Sequence, residues 1–291
     1  MIDFVKIKLK DTDPQILLNN PLLVFRQEFI VETGELLNKR IAEYRGMKFY
    51  IHVTGTIIIS GSLHKFMNNG KHNYNDFKRS QLTNVINEFC SMFNLYSGNC
   101  TLINLEVGAN VTPSIPTKEL LKYLFMHFRN EYRFADINKG TYKQVTYSEY
   151  LLKAYDKGAQ YRLDTETFRF EIKMMGSRMI NRNGVGTLDD LYNKRKLEKL
   201  CNLLIIKWRE SLLYDPAITN ELIFNPKEHE KYVQWGNPVF WFDMANNKDK
   251  HRNAFSKEMK KYRELNDYYP ENLHLKVYKI ILSKLAFLLL T

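Results

Sequence analysis

Residues 101–111 read TLINLEVGANV, and every second side chain is apolar. Ile103, Leu105, Val107, Ala109 and Val111 fall on one side; Asn104, Glu106, Gly108 and Asn110 fall on the other. A period of two is that of a β-strand, and one apolar face beside one polar face marks an antiparallel sheet. The same signature recurs on either side of this stretch. In 168–174 (FRFEIKM), Phe168, Phe170, Ile172 and Met174 oppose Arg169, Glu171 and Lys173. Near the start, Val5, Ile7 and Leu9 alternate with Phe4, Lys6 and Lys8. Residues 48–60 (KFYIHVTGTIIIS) are strand material turned near Thr54-Gly55. Residues 147–157 form a further strand with Lys153, Tyr155 and Lys157 on one face.

Helical patterns lie between these strands. Leu82, Val85, Ile86, Phe89 and Phe93 share one face of a helix over 77–96. Thr117 is the expected N-cap of a helix reaching about Asn130. The pattern changes near residue 185 and is mostly helical beyond it. Thr187 is the expected cap of a helix over 187–213, stopped by Pro216. Helices are expected at 252–266 and 271–290, whereas 219–245 shows no assignable period. The fold class is therefore α+β: an antiparallel sheet with helices on one face and a polar face left open, followed by a mostly helical C-terminal part. The expected division is a first domain over 1–185 and a helical region over 186–291.

Lys and Arg number 43 against 32 Asp and Glu, a net charge of +11. That excess suits a polyanionic partner, although a high pI alone also occurs in proteins without one. Eighteen Tyr and eighteen Phe, several beside a basic residue, suit base stacking with phosphate contact as well as ordinary packing. The apolar and charged fractions, 44% and 26%, exclude a disordered chain. There is no apolar run of about 18 residues and no signal-peptide pattern, so no membrane partner is expected. Three cysteines without a CxxC pair point to a reducing cytoplasm rather than a disulfide framework.

Three elements carry chemistry. Residues 60–77, SGSLHKFMNNGKHNYNDF, place His64 and His72 in a turn-rich segment where imidazoles could bind a metal or simply serve structure. Glu106 is a carboxylate in mid-strand on the open face, a metal ligand or an ion-pair partner. A histidine with a carboxylate suits Mn²⁺ or Mg²⁺ with positions left for a phosphate. Tyr155 lies between Lys153 and Lys157, whose ammonium groups favour the phenolate of a group with a pKa of about 10. Together these describe a phosphoryl-transfer site in which a metal polarises a phosphodiester and Tyr155 attacks, leaving a 5′-phosphotyrosine and a free 3′-hydroxyl. Glu171 could support the metal or Lys157, or form a structural ion pair.

The motif order resembles the gene II-type replication initiation proteins of filamentous phages, relatives of the HUH endonucleases and of plasmid rolling-circle initiators. The matching stretches are MIDFVKIKL, SGSLHKFMNNGKHN, LINLEVGANV, LLKAYDKGAQ, and FRFEIK followed by GVGTLDDL, all within residues 1–195. The resemblance implies an HUH-like sheet and a bacterial, phage- or plasmid-encoded enzyme that nicks single-stranded or hairpin origin DNA. A host helicase or polymerase is a further expected partner. By motif match Tyr155 is the nucleophile, and His72 and Glu106 are metal ligands; Lys157 is a further catalytic candidate, and His64, which does not fall clearly on a family ligand position, a further metal candidate. Lys65, Lys71, Asn73 and Lys153 are expected to contact DNA. Two departures stand out. The compact His–hydrophobe–His triplet is absent, and a single tyrosine occupies the nucleophile position. A single-tyrosine cycle needs water, a second protomer or another residue to finish. Residues 196–291 match no motif and are expected to bind duplex DNA or a partner.

Two other readings share this scaffold. One is a non-catalytic DNA-binding repressor or replication accessory protein. The other is a hydrolytic nuclease whose metal-bound water attacks while Tyr155 only positions the phosphate.

Overall fold

The computed structural model describes residues 1–135, 139–218, 223, 225–246 and 253–290. Thirteen strands lie in these residues: β1 Ile2–Leu9, β2 Arg26–Phe29, β3 Leu36–Tyr44, β4 Met47–His52, β5 Ile57–Ser62, β6 Cys100–Val111, β7 Leu124–His127, β8 Asn130–Glu131, β9 Arg133–Phe134, β10 Tyr142–Thr146, β11 Tyr150–Asp156, β12 Phe168–Met174 and β13 Ser211–Leu213. Ten form one antiparallel sheet in the order β2-β3-β4-β5-β1-β6-β12-β11-β10-β9, with β1 and β6 at its middle. A small sheet, β13-β7-β8, stands apart.

One face of the large sheet is the core. Val5, Ile7, Phe49, Ile59, Leu105 and Ile172 are fully buried there. Helices Arg79–Met92, Lys194–Arg209 and Leu273–Leu290 supply Phe89, Leu204 and Ile281 to the same cluster. The opposite face of the sheet is polar. The mixed α+β architecture, with an antiparallel sheet, helices on one face and a helical C-terminal part, follows from the alternation read above.

Residues beyond 185 have two roles. Helices Lys194–Arg209 and Leu273–Leu290 back the large sheet. Between them, helices Pro226–Trp235, Pro238–Asn246 and Ala254–Tyr268 form a second core with β7 and β13, built on Met126, Leu212, Tyr232, Trp235, Trp241 and Tyr262. No helix of the described residues is long and apolar enough to cross a membrane.

Several local expectations are corrected. The helix expected over 117–130 is Thr117–Tyr123, because Leu124–His127 peels off to pair with β13. Thr117 does not cap it. Its own backbone N–H donates to the Glu166 carboxylate instead. The helix expected over 187–213 is Lys194–Arg209; its cap is Asn193, whose side chain accepts from the Arg195 and Lys196 amides. The strand expected over 147–157 is β11, and Lys157 opens a short helix, Lys157–Tyr161, capped by Asp156. In β6, Lys6 pairs with Asn104 but Ile7 with Leu102, so Ile103 is an extra residue. This bulge buries Leu102 in its place and leaves Ile103 half-buried. Arg252, at the start of the helix expected over 252–266, lies outside the described residues.

Trp208 joins three parts of the core. It packs edge-on to Phe168 and Phe170 of β12 and stacks on His274, whose carbonyl accepts from the indole N–H at 3.1 Å. Trp208→Ala should cost about 3–5 kcal/mol. The expected result is a lower urea midpoint with an unchanged m-value.

Candidate active site

The polar face at the sheet's centre is built by β1, β6, β12 and β11, in that order. Register places Lys173 opposite Glu106 and Glu171 opposite both Gly108 and Lys153. Lys153 Nζ lies 2.9 Å from Glu106 Oε1 and 2.9 Å from Glu171 Oε1, bridging the two carboxylates. Lys173 Nζ reaches Glu106 Oε1 at 3.1 Å. Arg169 donates to Glu171 Oε2 through Nε, to Asn110 Oδ1 at 2.8 Å and to Asp3 Oδ2 at 3.0 Å. The arrangement needs Gly108: a Cβ there would lie 2.6 Å from the Glu171 Cβ and 3.1 Å from Arg169 Nη2.

Asp3 enters through an irregularity. Ile2 pairs with Val107 and Val5 with Leu105, so β1 takes three steps where β6 takes two. The extra residue brings Asp3 onto the polar face, although strict alternation would put it in phase with Val5 and Ile7. Its carboxylate accepts from Arg169, from Asn73 Nδ2 at 2.6 Å and from the Ser62 hydroxyl.

Three carboxylates thus meet three cations in a buried cluster. Burial and the neighbouring Glu171 raise the Glu106 carboxyl, against the pull of Lys153 and Lys173. Burial also works against the Glu171 carboxylate, but Arg169 and Lys153 outweigh it and hold the group well below the usual range. One oxygen each from Asp3, Glu106 and Glu171 lie within 4.8 Å of one another. An all-carboxylate oxygen set suits a hard divalent ion such as Mg²⁺ or Mn²⁺. The Lys153 ammonium already neutralises Glu106 and Glu171, two of the carboxylates that would hold such a cation.

Tyr155 is half-buried, and its hydroxyl points to Glu171 Oε2 at 3.4 Å. The flanking lysines do not favour its phenolate as the sequence suggests. Burial and the Glu171 carboxylate push the phenol well above its ordinary value, because the Lys153 charge is already taken by Glu106 and Glu171. Lys157 is buried; its Nζ donates to Asn73 Oδ1 at 2.6 Å and lies over the Tyr155 and Tyr161 rings. Burial, with Arg169 nearby, lowers this amine to about 7. Beside Tyr155 lies an open groove of about 610 Å³, lined in part by Lys139, Tyr142, Lys153, Arg162 and Glu171.

The cluster therefore gathers Glu106, Lys153, Tyr155, Lys157 and Asn73. The histidines lie next to it rather than in it. His64 is buried, its Nε2 bonds Asn75 Oδ1 at 2.7 Å, and its ring stacks on Phe77. Burial lowers its imidazole to about 3. His72, adjacent to Asn73, stacks on Tyr74 at 4.1 Å, and its Nδ1 is buried without a hydrogen-bond partner. Lys65 and Lys71 flank the same loop and make no ion pair among the described residues. Sequence reasoning missed Asp3 and gave Arg169 no role. The apolar-facing phase of Asp3 hid it, and the only available signal was a charged residue out of pattern in an otherwise apolar set.

No protein-family model matches the chain, and no curated protein matches it either. Among solved structures, a rolling circle replication initiator protein from Geobacillus stearothermophilus is similar to it: the two are 12% identical, with a TM-score of 0.46, over 85% of this chain and 95% of that one.

Two outcomes test the electrostatics and packing. Lys157 keeps its proton up to about 10.5 when unfolded but only to about 7 when folded. The unfolded chain therefore binds more protons between those values, and stability rises with pH through that window. Urea titrations across it should show a smaller rise in Lys157→Met than in the parent. Gly108→Ala should cost about 1–3 kcal/mol through overpacking against Glu171 and Arg169, read as a lowered denaturation midpoint.

Proposed function

We propose that the protein is a rolling-circle-type replication initiator, a strand transferase that nicks single-stranded or hairpin DNA through attack by Tyr155. The observation that carries this reading is the position of the Tyr155 hydroxyl. It stands at the edge of a groove with basic residues on its walls, in contact with Glu171 of a buried three-carboxylate cluster. Residues 1–185 supply this chemistry, and the later helices back the sheet or form the second core.

Lys139 and Arg162, on the groove wall, hold the phosphodiester through charge-assisted contacts. The Tyr155 oxygen attacks phosphorus in line as its hydroxyl, oriented by Glu171, gives up its proton to solvent in the open groove. The P–O3′ bond breaks, and the Lys157 ammonium, whose pKa of about 7 lets it exchange a proton near neutrality, protonates the departing 3′ oxygen. The products are a 5′-phosphotyrosine and a free 3′-hydroxyl. Asp3, Glu106 and Glu171 would hold Mg²⁺ or Mn²⁺ after displacement of the Lys153 ammonium. A bound ion would polarise a non-bridging phosphate oxygen and weaken the field that keeps the phenol protonated. His72, with its unpartnered Nδ1, is the sequence-predicted imidazole with a buried ring nitrogen left to join this set. In this reading Lys65, Lys71, Asn73 and Lys153 face the DNA, and His64 is held in a supporting role by Asn75.

A covalent-trapping gel tests it. Labelled single-stranded and hairpin oligonucleotides are mixed with protein and Mn²⁺, Mg²⁺ or chelator. The expected product is a metal-dependent band that survives denaturation and is abolished in Tyr155→Phe, while that variant still binds DNA. Cleavage without a trapped band would transfer the reading to metal-activated water. Binding to the cognate origin without cleavage would leave the non-catalytic DNA-binding protein.

A further inference from the structure

The polar sheet face continues past the acidic cluster onto β1, β5, β4, β3 and β2, where its composition changes. Cross-strand pairing fixes which residues share it. One row runs Lys8, Ile58, Tyr50, Ile41 and Arg26; the next runs Asn104, Lys6, Ser60, Lys48 and Glu43; Lys39 pairs with His52 beyond them. In these rows five cations (Lys6, Lys8, Lys39, Lys48 and Arg26) stand with one carboxylate, Glu43. None of the five has a carboxylate partner among the described residues. Elsewhere on this face cations are neutralised, as Lys153 and Arg169 are. Here they are left for an outside anion.

Two aromatic rings lie among them. Phe4 and Tyr50 are both half-buried, and each has an ammonium over its ring: Lys173 at 4.8 Å and Lys39 at 5.6 Å from the centroids. They line a cavity of about 460 Å³ together with Lys6, Lys39, His52 and Lys173. Strands β4 and β1 are two places apart in the sheet, and Phe4 lies four residues along β1 from Lys8 in the Tyr50 row, so the two positions are offset by about 10 Å across the sheet and about 13 Å along it. Lys173 joins this surface to the acidic cluster: its Nζ holds Glu106 Oε1 at 3.1 Å and also stands over Phe4.

We propose that this half of the face is a track for single-stranded DNA leaving the Tyr155 site, with bases stacked on Phe4 and Tyr50 and phosphates held by Lys6, Lys8, Lys39 and Lys48. The proposal takes its ligand class from the function proposed above. A duplex keeps its bases stacked inside and would leave both rings unused. A single strand presents base faces and phosphates together, which is the pairing of groups this surface offers.

The test measures binding alone, in the full chain carrying Tyr155→Phe, by anisotropy of a fluorescent oligothymidylate and of a duplex over a range of salt concentrations. The variant Lys6→Ala/Lys8→Ala/Lys39→Ala/Lys48→Ala is compared with a charge-matched control, Lys194→Ala/Lys199→Ala/Lys257→Ala/Lys260→Ala. At about 0.7 per phosphate contact for single strands, the slope of log affinity against log salt should fall by about 3 in the first and stay near the parent in the control. Tyr50→Ala should weaken oligothymidylate binding about tenfold or more while leaving the slope unchanged. Equal slopes in the two quadruple variants would overturn the track. So would duplex binding tighter than single-strand binding with the same sensitivity to the four lysines. Because no cleavage is read, a parent protein that forms no covalent product would sink the nicking reaction and leave this surface standing.

Discussion

The guanidinium of Arg169 is buried beneath the open sheet face, and a buried charge is tolerated only when paired and hydrogen-bonded. Its partners are Glu171, Asp3 and Asn110, and each sets a condition on a neighbouring strand. Glu171 must be reached from two residues away on the same face of β12. Asp3 requires β1 to carry an extra residue at its start. The close approach of Arg169 and Glu171 to β6 requires a residue without a side chain at position 108. Once Arg169 is satisfied, Glu171 has one oxygen left for Lys153, which brings in Glu106. The site is thus a chain of charges in which each member exists to neutralise the one before it.

That chain also sets the chemistry of Tyr155. A phenol beside two lysines would ordinarily become more acidic. Here burial, with the Glu171 carboxylate beside the hydroxyl, holds the proton on. Lys157 is the exception among the basic groups. It bonds a neutral amide oxygen rather than a carboxylate, so burial dominates and its amine exchanges protons near neutrality. One residue resists ionisation and its neighbour barely keeps its charge, a pairing that separates nucleophile from proton donor.

Much of this was legible in the alternation. Strands β6 and β12 could be read with their faces, and Glu106, Lys153, Glu171 and Tyr155 were placed on the polar side from periodicity alone. What escaped was written in departures from period two. Asp3 and Ile103 each sit at a bulge, where one added residue reverses the expected facing, and nothing in the local pattern announces the insertion. The β7 segment LFMH opens on three successive apolar residues and shows no period-two alternation, so its pairing with β13, far along the chain, decided its state against a helical start at Thr117. Strands β2 and β3 carry their polar side outward toward Arg26, Lys39 and Glu43 with too little contrast to stand out. The histidines attracted attention as ligands, but their rings are held by Asn75, Phe77 and Tyr74, contacts that only the folded chain creates.

The order in which the sheet's apolar side is covered bears on how the chain is made. Helix Leu273–Leu290 packs into the main core through Val277, Ile281 and Leu285, and it is tied to the early helical region by Lys284 on Asp76 and by Arg79 on the Leu289 carbonyl. All of its strand partners are synthesised first. The nascent polypeptide must therefore carry a broad, twisted, greasy surface out of the ribosome before its cover arrives, the interval in which unshielded apolar surface is most prone to aggregate or to engage a chaperone.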